Sequence, residues 1–211
     1  MKTTMIRLTC LLAVVGVLAV PSFAQVPHLY LAGFLQTYHP TGDFGKETIH
    51  LDGGNAELGN GTELNVGLMS DFGSTYIGYR WAKFGTQGKA ALDWQDVDRW
   101  VAGIRWHMLG TLRSPVVPVL GVGITVGKSK LGVNSELEEN IQKVSKQIES
   151  DNSVGWFLEA GVRLRAVGPI SALGSIQYHR FDTTFEDAIL TKPTDFTVTF
   201  FTTQLGLQYT F

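Results

Sequence analysis

The sequence predicts an all-β fold, a transmembrane antiparallel up-and-down β-barrel of about eight strands, and three observations predict it. Segments of roughly ten residues alternate apolar and polar side chains, the connections between them are short and long by turns, and aromatic residues collect at both ends of the apolar faces. The last stretch, Thr197 to Phe211, shows the alternation most fully. Phe201, Thr203, Leu205, Leu207, Tyr209 and Phe211 fall on one face, and Thr202, Gln204, Gly206, Gln208 and Thr210 on the other. A strand with lipid on one side and a polar lumen on the other requires this pattern, because successive side chains point to opposite faces.

At the other end of the chain, Lys2 and Arg7 precede an apolar run from Leu8 to Val20 and a small-residue exit at Ser22-Phe23-Ala24. These are the three parts of a secretory signal peptide, so residues 1–24 are expected to be removed and residues 25–211 to form one domain. The run is shorter than the roughly 20 apolar residues of a membrane-spanning helix. The single cysteine, Cys10, lies inside this signal, which leaves no thiol chemistry for the mature domain. Seventeen basic against nineteen acidic residues give a nearly neutral chain with no nucleic-acid footprint.

In order, the first strand is predicted from His28 to Tyr38, apolar on both faces, so its inward set stays open. His39 to Gly61 has the Pro, Gly and Asn content of a loop. Thr62 to Phe72 sets Leu64, Val66, Leu68 and Phe72 against Glu63, Asn65, Gly67 and Asp71. A tight hairpin at Gly73-Ser74 leads to Thr75–Lys83, with Ile77, Tyr79 and Trp81 opposing Tyr76, Gly78 and Arg80. After a polar connection, 84–98, Trp100, Ala102, Ile104, Trp106 and Met108 alternate with Val101, Gly103, Arg105 and His107. The fifth strand, Val116 to Val126, follows a short connection, with Pro118 near its start, where a missing donor is tolerated best. The longest connection, 127–153, precedes a sixth strand, Val154 to Val167, with Gly155, Phe157, Glu159, Gly161, Arg163 and Arg165 inward. Gly168-Pro169 turns the chain into the seventh strand, Ile170 to Phe181, and 182–195 loops back to the last.

Soluble lipocalin-like barrels have a similar strand count, but fill their interior with apolar residues. Here charges share a face with glycines and the opposite face is apolar, so the apolar face meets lipid. Trp81, Trp100, Trp156, Tyr178 and Phe201 fall at one expected membrane interface, and Phe72, Trp106, Tyr209 and Phe211 at the other.

On the terminal Phe211, the strand count and the loop asymmetry, the chain resembles the small Gram-negative outer-membrane barrels of the outer-membrane protein A and X type, from Gln25 to Phe211. It departs from the A type in ending at the barrel, so no peptidoglycan-binding domain is expected to follow. The resemblance implies residence in the outer membrane, contact with its lipid and lipopolysaccharide, and short turns on the periplasmic side. It also implies that Leu205, Leu207, Tyr209 and Phe211 form an assembly signal read by the barrel-assembly machinery.

The residues able to carry chemistry are the inward charges Glu63, Asp71, Arg80, Arg105, His107, Glu159, Arg163, Arg165 and His179. An eight-stranded interior is only wide enough for side chains to fill it, and charges there must pair to offset their desolvation. They form either a salt-bridged plug or a narrow gated path around Glu159, with Arg80 and Arg105 as its expected neighbours. Ser175 and His179 share the inner face of the seventh strand, four residues apart, which is too far for a nucleophile and base in contact. Ser135, Glu136 and Glu138 followed by Leu137, Ile141, Val144 and Ile148 predict a short amphipathic helix from about Ser135 to Glu149 in one extracellular loop. It is either a lid on the loops or a docking surface. The five histidines show no metal-ligand spacing, Gly121-Val122-Gly123 reads as small lumenal residues, and no cofactor or metal is implied. The functional expectation is a non-catalytic barrel acting in envelope integrity, adhesion or binding of an extracellular ligand through its loops. The alternatives are a narrow channel for small solutes and a lipid A-modifying enzyme.

Overall fold

A computed structural model describes residues 27–41, 58–84, 92–108, 113–133, 147–185 and 194–211. The strands are β1 (His28–Thr41), β2 (Gly59–Met69), β3 (Gly73–Lys83), β4 (Leu92–His107), β5 (Val116–Val133), β6 (Gln147–Glu149), β7 (Ser153–Arg165), β8 (Ile170–Phe185) and β9 (Thr194–Thr210). They form one sheet in the order β4-β3-β2-β1-β9-β8-β7-β5-β6, and a further β4–β5 pairing closes it into a ring. Eight long antiparallel strands make the barrel, and β6 pairs only with the far end of β5, through Lys130↔Glu149, Leu131↔Ile148 and Gly132↔Gln147.

The ring leaves no free edge along the barrel wall, and its backbone groups pair within the wall. A chain crossing hydrocarbon with strands has to meet this condition. Its seam joins the first and last strands, from Tyr30↔Thr210 to Thr41↔Thr199. Beyond it, Phe211 N donates to Leu29 O at 2.8 Å.

The alternation read from the sequence governs the wall. On β7 every second residue from Ser153 to Glu159 is buried, while Val154, Trp156, Leu158, Val162 and Leu164 are exposed. On β9, Leu205 and Leu207 are 66% and 64% exposed while Gln204 and Gln208 are buried, an inversion of the soluble pattern that suits lipid outside. The parity left open in β1 is now fixed: Tyr30, Ala32, Phe34, Gln36 and Tyr38 point inward and Leu29, Leu31 and Leu35 outward.

Short turns join the strands at one end, the turn end, through residues 70–72 and 166–169. Gly168 has a φ of 59°, the left-handed value that a two-residue hairpin turn with the sheet's own twist demands. A third connection at this end, 108–115, is as long as 84–91 and 186–193 at the opposite, loop end, where 42–58 and 134–146 are longer. There β4 and β5 run further than expected, from Leu92↔Val133 down to His107↔Val119. The predicted helix over Ser135 to Glu149 falls mostly outside the described residues. Its last three positions, 147–149, are extended as β6, so a helix does not reach Glu149.

Inside, large aromatics lie over glycines of the neighbouring strand. Tyr30 pairs with Gly67, Phe34 with Gly206, Tyr76 with Gly103, Phe157 with Gly123 and Phe181 with Gly155. A Cβ at Gly123 would stand 2.3 Å from Phe157 Cζ, so the ring occupies the space that a side chain would fill. Close approach explains these interior glycines.

Candidate functional site

Among the described residues the lumen brings the most buried polar and charged side chains together, and it is filled in layers. At the turn end, Met69 is buried and its Sδ accepts from Gln208 Nε2 at 3.2 Å and from Arg163 Nη1 at 3.6 Å.

Above this lies the first ion pair. Arg105 Nε donates to Glu159 Oε2 at 2.8 Å, and both residues are nearly inaccessible to solvent. The other carboxylate oxygen, Glu159 Oε1, accepts from Ser175 Oγ at 2.7 Å and Gln204 Nε2 at 2.9 Å. The Arg105 guanidinium lies over Tyr76 at 4.1 Å from the ring centroid, an attraction between cation and ring face.

The second ion pair sits nearer the loop end. Arg80 places both Nε and Nη2 on Glu63 Oε2, at 2.7 and 2.6 Å. Gln36 Nε2 donates to the same oxygen at 2.9 Å, and Asn65 Nδ2 to Glu63 Oε1 at 2.7 Å. Arg80 Nη2 also donates to Gln177 Oε1 at 2.8 Å. His179 fits this as a neutral ring whose Nε2 donates to Gln177 Oε1 at 2.9 Å while Nδ1 accepts from Arg80 Nη1 at 3.2 Å. The ring is stacked on Phe200 with centroids 4.7 Å apart. Buried ion pairs are tolerated when added hydrogen bonds satisfy their remaining atoms, and both carboxylates here are saturated in that way.

Gln36 Nε2 also donates to Gln204 Oε1 at 2.8 Å, and Tyr38 Oη donates to Gln36 Oε1. The two ion pairs are therefore ends of one connected network.

The residues named from sequence fall into three groups. Glu63, Arg80, Arg105, Glu159, Arg163 and His179 are buried in the lumen. His107 is half-buried at the end of β4, where its Nδ1 lies 3.3 Å from Asp71 O. Asp71 and Arg165 stand at strand ends: β2 ends at Met69, which puts the half-buried Asp71 in the turn, and Arg165 is exposed at the end of β7 with Nη1 3.4 Å from Arg113 O. Both have inward parity, but Asp71 follows the end of β2 and Arg165 is the last residue of β7, paired with Ser171 at the barrel's rim. The expected neighbours of Glu159 divide, for Arg105 is its partner while Arg80 belongs to Glu63.

Among the described residues, one lumenal charge was missed. Arg99 is 1% exposed on β4, directly across from Arg80 on β3. Its Nη2 donates to Ser153 Oγ at 2.7 Å, and its guanidinium lies 3.4 Å from the Phe181 centroid. Parity alone would have found it had β4 been started before Trp100.

On the outer wall, the aromatics form two groups. Toward the loop end, Trp156, Tyr178 and Phe201 make a row with centroids 5.6 and 5.2 Å apart, and Tyr79 bridges Trp81 and Trp100 at 4.8 and 5.0 Å. Toward the turn end stand Trp106, Phe72, and the pair Tyr209 and Phe211, whose centroids are 4.9 Å apart.

Known proteins agree with this architecture. A family described as the outer membrane protein beta-barrel domain matches residues 10–211, and the chain belongs to that family. Among curated proteins none matches it in sequence. Among solved structures it is similar to Neisserial surface protein A, at 13% identity and a TM-score of 0.62, with 87% of this chain and 97% of that one covered. It is also similar to the outer membrane protein OprG from Pseudomonas aeruginosa, at 14% identity and a TM-score of 0.56, covering 89% of this chain and 97% of that one. Outer Membrane Protein W of E. coli follows at 17% identity and a TM-score of 0.50, with 90% and 100% covered. At these identities the likeness is one of fold. The protein is a small barrel of the Gram-negative outer membrane, surrounded by outer-membrane lipid.

Proposed function

We propose that this protein is a non-catalytic outer-membrane barrel with a closed lumen, working in envelope integrity or surface binding through the segments at its loop end. The observation that carries this reading is the connected network from Glu63 through Gln36 and Gln204 to Glu159, which crosses the barrel interior. Side chains that fill an eight-stranded interior leave binding to the segments outside the membrane. In this reading lipopolysaccharide surrounds the loop end, and an extracellular ligand meets the long connections. Leu205, Leu207, Tyr209 and Phe211 present the assembly signal to the barrel-assembly machinery.

A lipid-modifying enzyme is disfavoured by the engagement of the nucleophile and base that share the inner face of β8. Ser175 Oγ donates to Glu159, and His179 is held by Arg80 and Gln177. A gated path is the second reading, favoured by Gln204 Nε2, which lies 2.9 Å from Glu159 Oε1 and 2.7 Å from Ser175 Oγ and so has partners to exchange.

The test is single-channel conductance of refolded protein in a planar bilayer, with Glu159→Gln beside the wild type. A folded barrel that passes no current supports the closed lumen. Discrete openings whose size or frequency changes in Glu159→Gln would replace it with the gated pore.

A further inference from the structure

We infer that the loop end of the lumen holds a small oxyanion, of carboxylate or phosphate chemistry, on Arg99 and the hydroxyls beside it.

The lumenal cations divide by what faces them. Arg80 has Glu63 and Arg105 has Glu159, each within ion-pair distance. Arg99 is as buried as either, yet among the described residues it touches only Ser153 and the Phe181 ring. Across the strand pair it faces Arg80, a second positive charge whose carboxylate is already saturated. Like charges placed directly opposite each other repel, and a buried cation without a counter-charge is costly.

The surroundings supply what an oxyanion needs. Among the described residues, Arg99 Nε is buried without a hydrogen-bond partner, and so are Ser129 Oγ and Thr183 Oγ1 near it and, deeper in the lumen, Arg105 Nη1 and Nη2, whose guanidinium already has its carboxylate. The register brings these groups to neighbouring rungs. Gly127 pairs with Arg99 on one side and Ser153 on the other, Ser129 is two residues further along the same face, and Thr183 lies two residues beyond Phe181, which pairs with Gly155 next to Ser153. A planar guanidinium with an unused N–H, with hydroxyl-bearing residues on neighbouring rungs, suits an oxyanion better than a spherical ion. Because Arg99 is on the inner face, the barrel wall separates it from lipid phosphates, and the ligand is a free anion entering from the loop end.

Inorganic phosphate is the probe. Refolded protein in detergent is melted in sodium phosphate and in sodium chloride at matched ionic strength. A ligand bound only by the folded form raises the folded-to-unfolded ratio about 100-fold when present at about 100 times its dissociation constant. The wild-type midpoint should climb with the logarithm of phosphate concentration, Lys128→Gln, which removes an exposed cation, should climb equally, and Arg99→Gln should not climb. A wild type that melts alike in both salts overturns the site, and so does a climb that survives Arg99→Gln. If Arg99→Gln does not refold, phosphorus NMR of phosphate with wild-type protein decides: saturable line broadening supports the site, and lines unchanged by the protein overturn it.

Discussion

Gln36 and Gln204 meet across the seam of the barrel, the amide nitrogen of one 2.8 Å from the amide oxygen of the other, and this bond couples the two ion pairs of the lumen. Each glutamine also touches a carboxylate: Gln36 donates to Glu63 and Gln204 to Glu159. The neutral amides thus carry the connection between charges that belong to β2 and β3 on one side and β4 and β7 on the other.

A double-mutant cycle on this pair should therefore be non-additive. Gln36→Leu and Gln204→Leu, singly and together, are expected to give a coupling of about 0.5 to 3 kcal/mol, in the range for residues within one network. Urea unfolding midpoints of the four proteins measure it. Additivity within about 0.3 kcal/mol would mean that the ion pairs act independently.

Breaking one pair should be costly. Glu159→Gln leaves Arg105 buried with no counter-charge, and about 3–5 kcal/mol of stability should disappear, the usual effect of removing one partner. Replacing Arg105 by Met in the same protein should recover a large part of that loss. A double variant no more stable than Glu159→Gln alone would show that packing of Arg105 against Tyr76 outweighs its charge.

The interior glycines yield a contrast between two alanines. At Gly206 a Cβ would lie 2.3 Å from Phe34 Cδ1 and 2.4 Å from Gly33 O, whereas at Gly174 the nearest atom is Leu205 Cδ1 at 3.8 Å. Gly206→Ala is expected to destabilise by about 1–3 kcal/mol, as overpacking does, and Gly174→Ala to be close to neutral. Thermal midpoints of the two variants that coincide would contradict this account of the glycine and aromatic pairs.

Lipid contact is tested at Leu205, 66% exposed in the middle of the apolar face of β9. Leu205→Arg should cost about 2–4 kcal/mol in a bilayer, and Thr197→Arg, beyond the aromatic row, about 0–1 kcal/mol. Folding into lipid vesicles titrated with denaturant separates the two. Equal costs would argue that Leu205 is not at membrane depth.

Replacing residues 134–146 by a short Asn-Gly connection should leave assembly intact, because β5 and β7 pair from Val116↔Leu164 to Gly127↔Ser153 without that segment. A sample that keeps its fast gel mobility before boiling and loses it afterwards would bear this out. Failure to fold would give the segment a structural role and remove the motive for treating it as a docking surface.

Much of this barrel was legible because a wall one residue thick leaves each side chain only two choices. Parity placed Glu63, Arg80, Arg105, Glu159 and His179 from the sequence alone. Parity gives a face but no boundary, and it could not tell that Asp71 stands in a turn and Arg165 at the exposed end of β7. Arg99 was lost for the converse reason: Trp94-Gln95-Asp96-Val97-Asp98 is polar enough to read as a loop, although it continues β4. Partner choice between Arg80 and Arg105 depends on strand stagger, which no local pattern encodes. In β1, aromatic rings packed over glycines fill the lumen, so apolar residues on both faces concealed which was inward.

The seam has a consequence for how the molecule comes into being. It joins residues 30–41 to 199–210, nearly the whole chain apart, and its last hydrogen bond comes from Phe211 itself. Until those final residues exist, any partly formed structure is an open sheet with two bare edges, one of them β1, ready to pair with another copy. Contacts so distant in sequence also form slowly. Closure thus waits for β9, and during synthesis and transit the growing polypeptide has to be kept from pairing with its neighbours until that strand arrives.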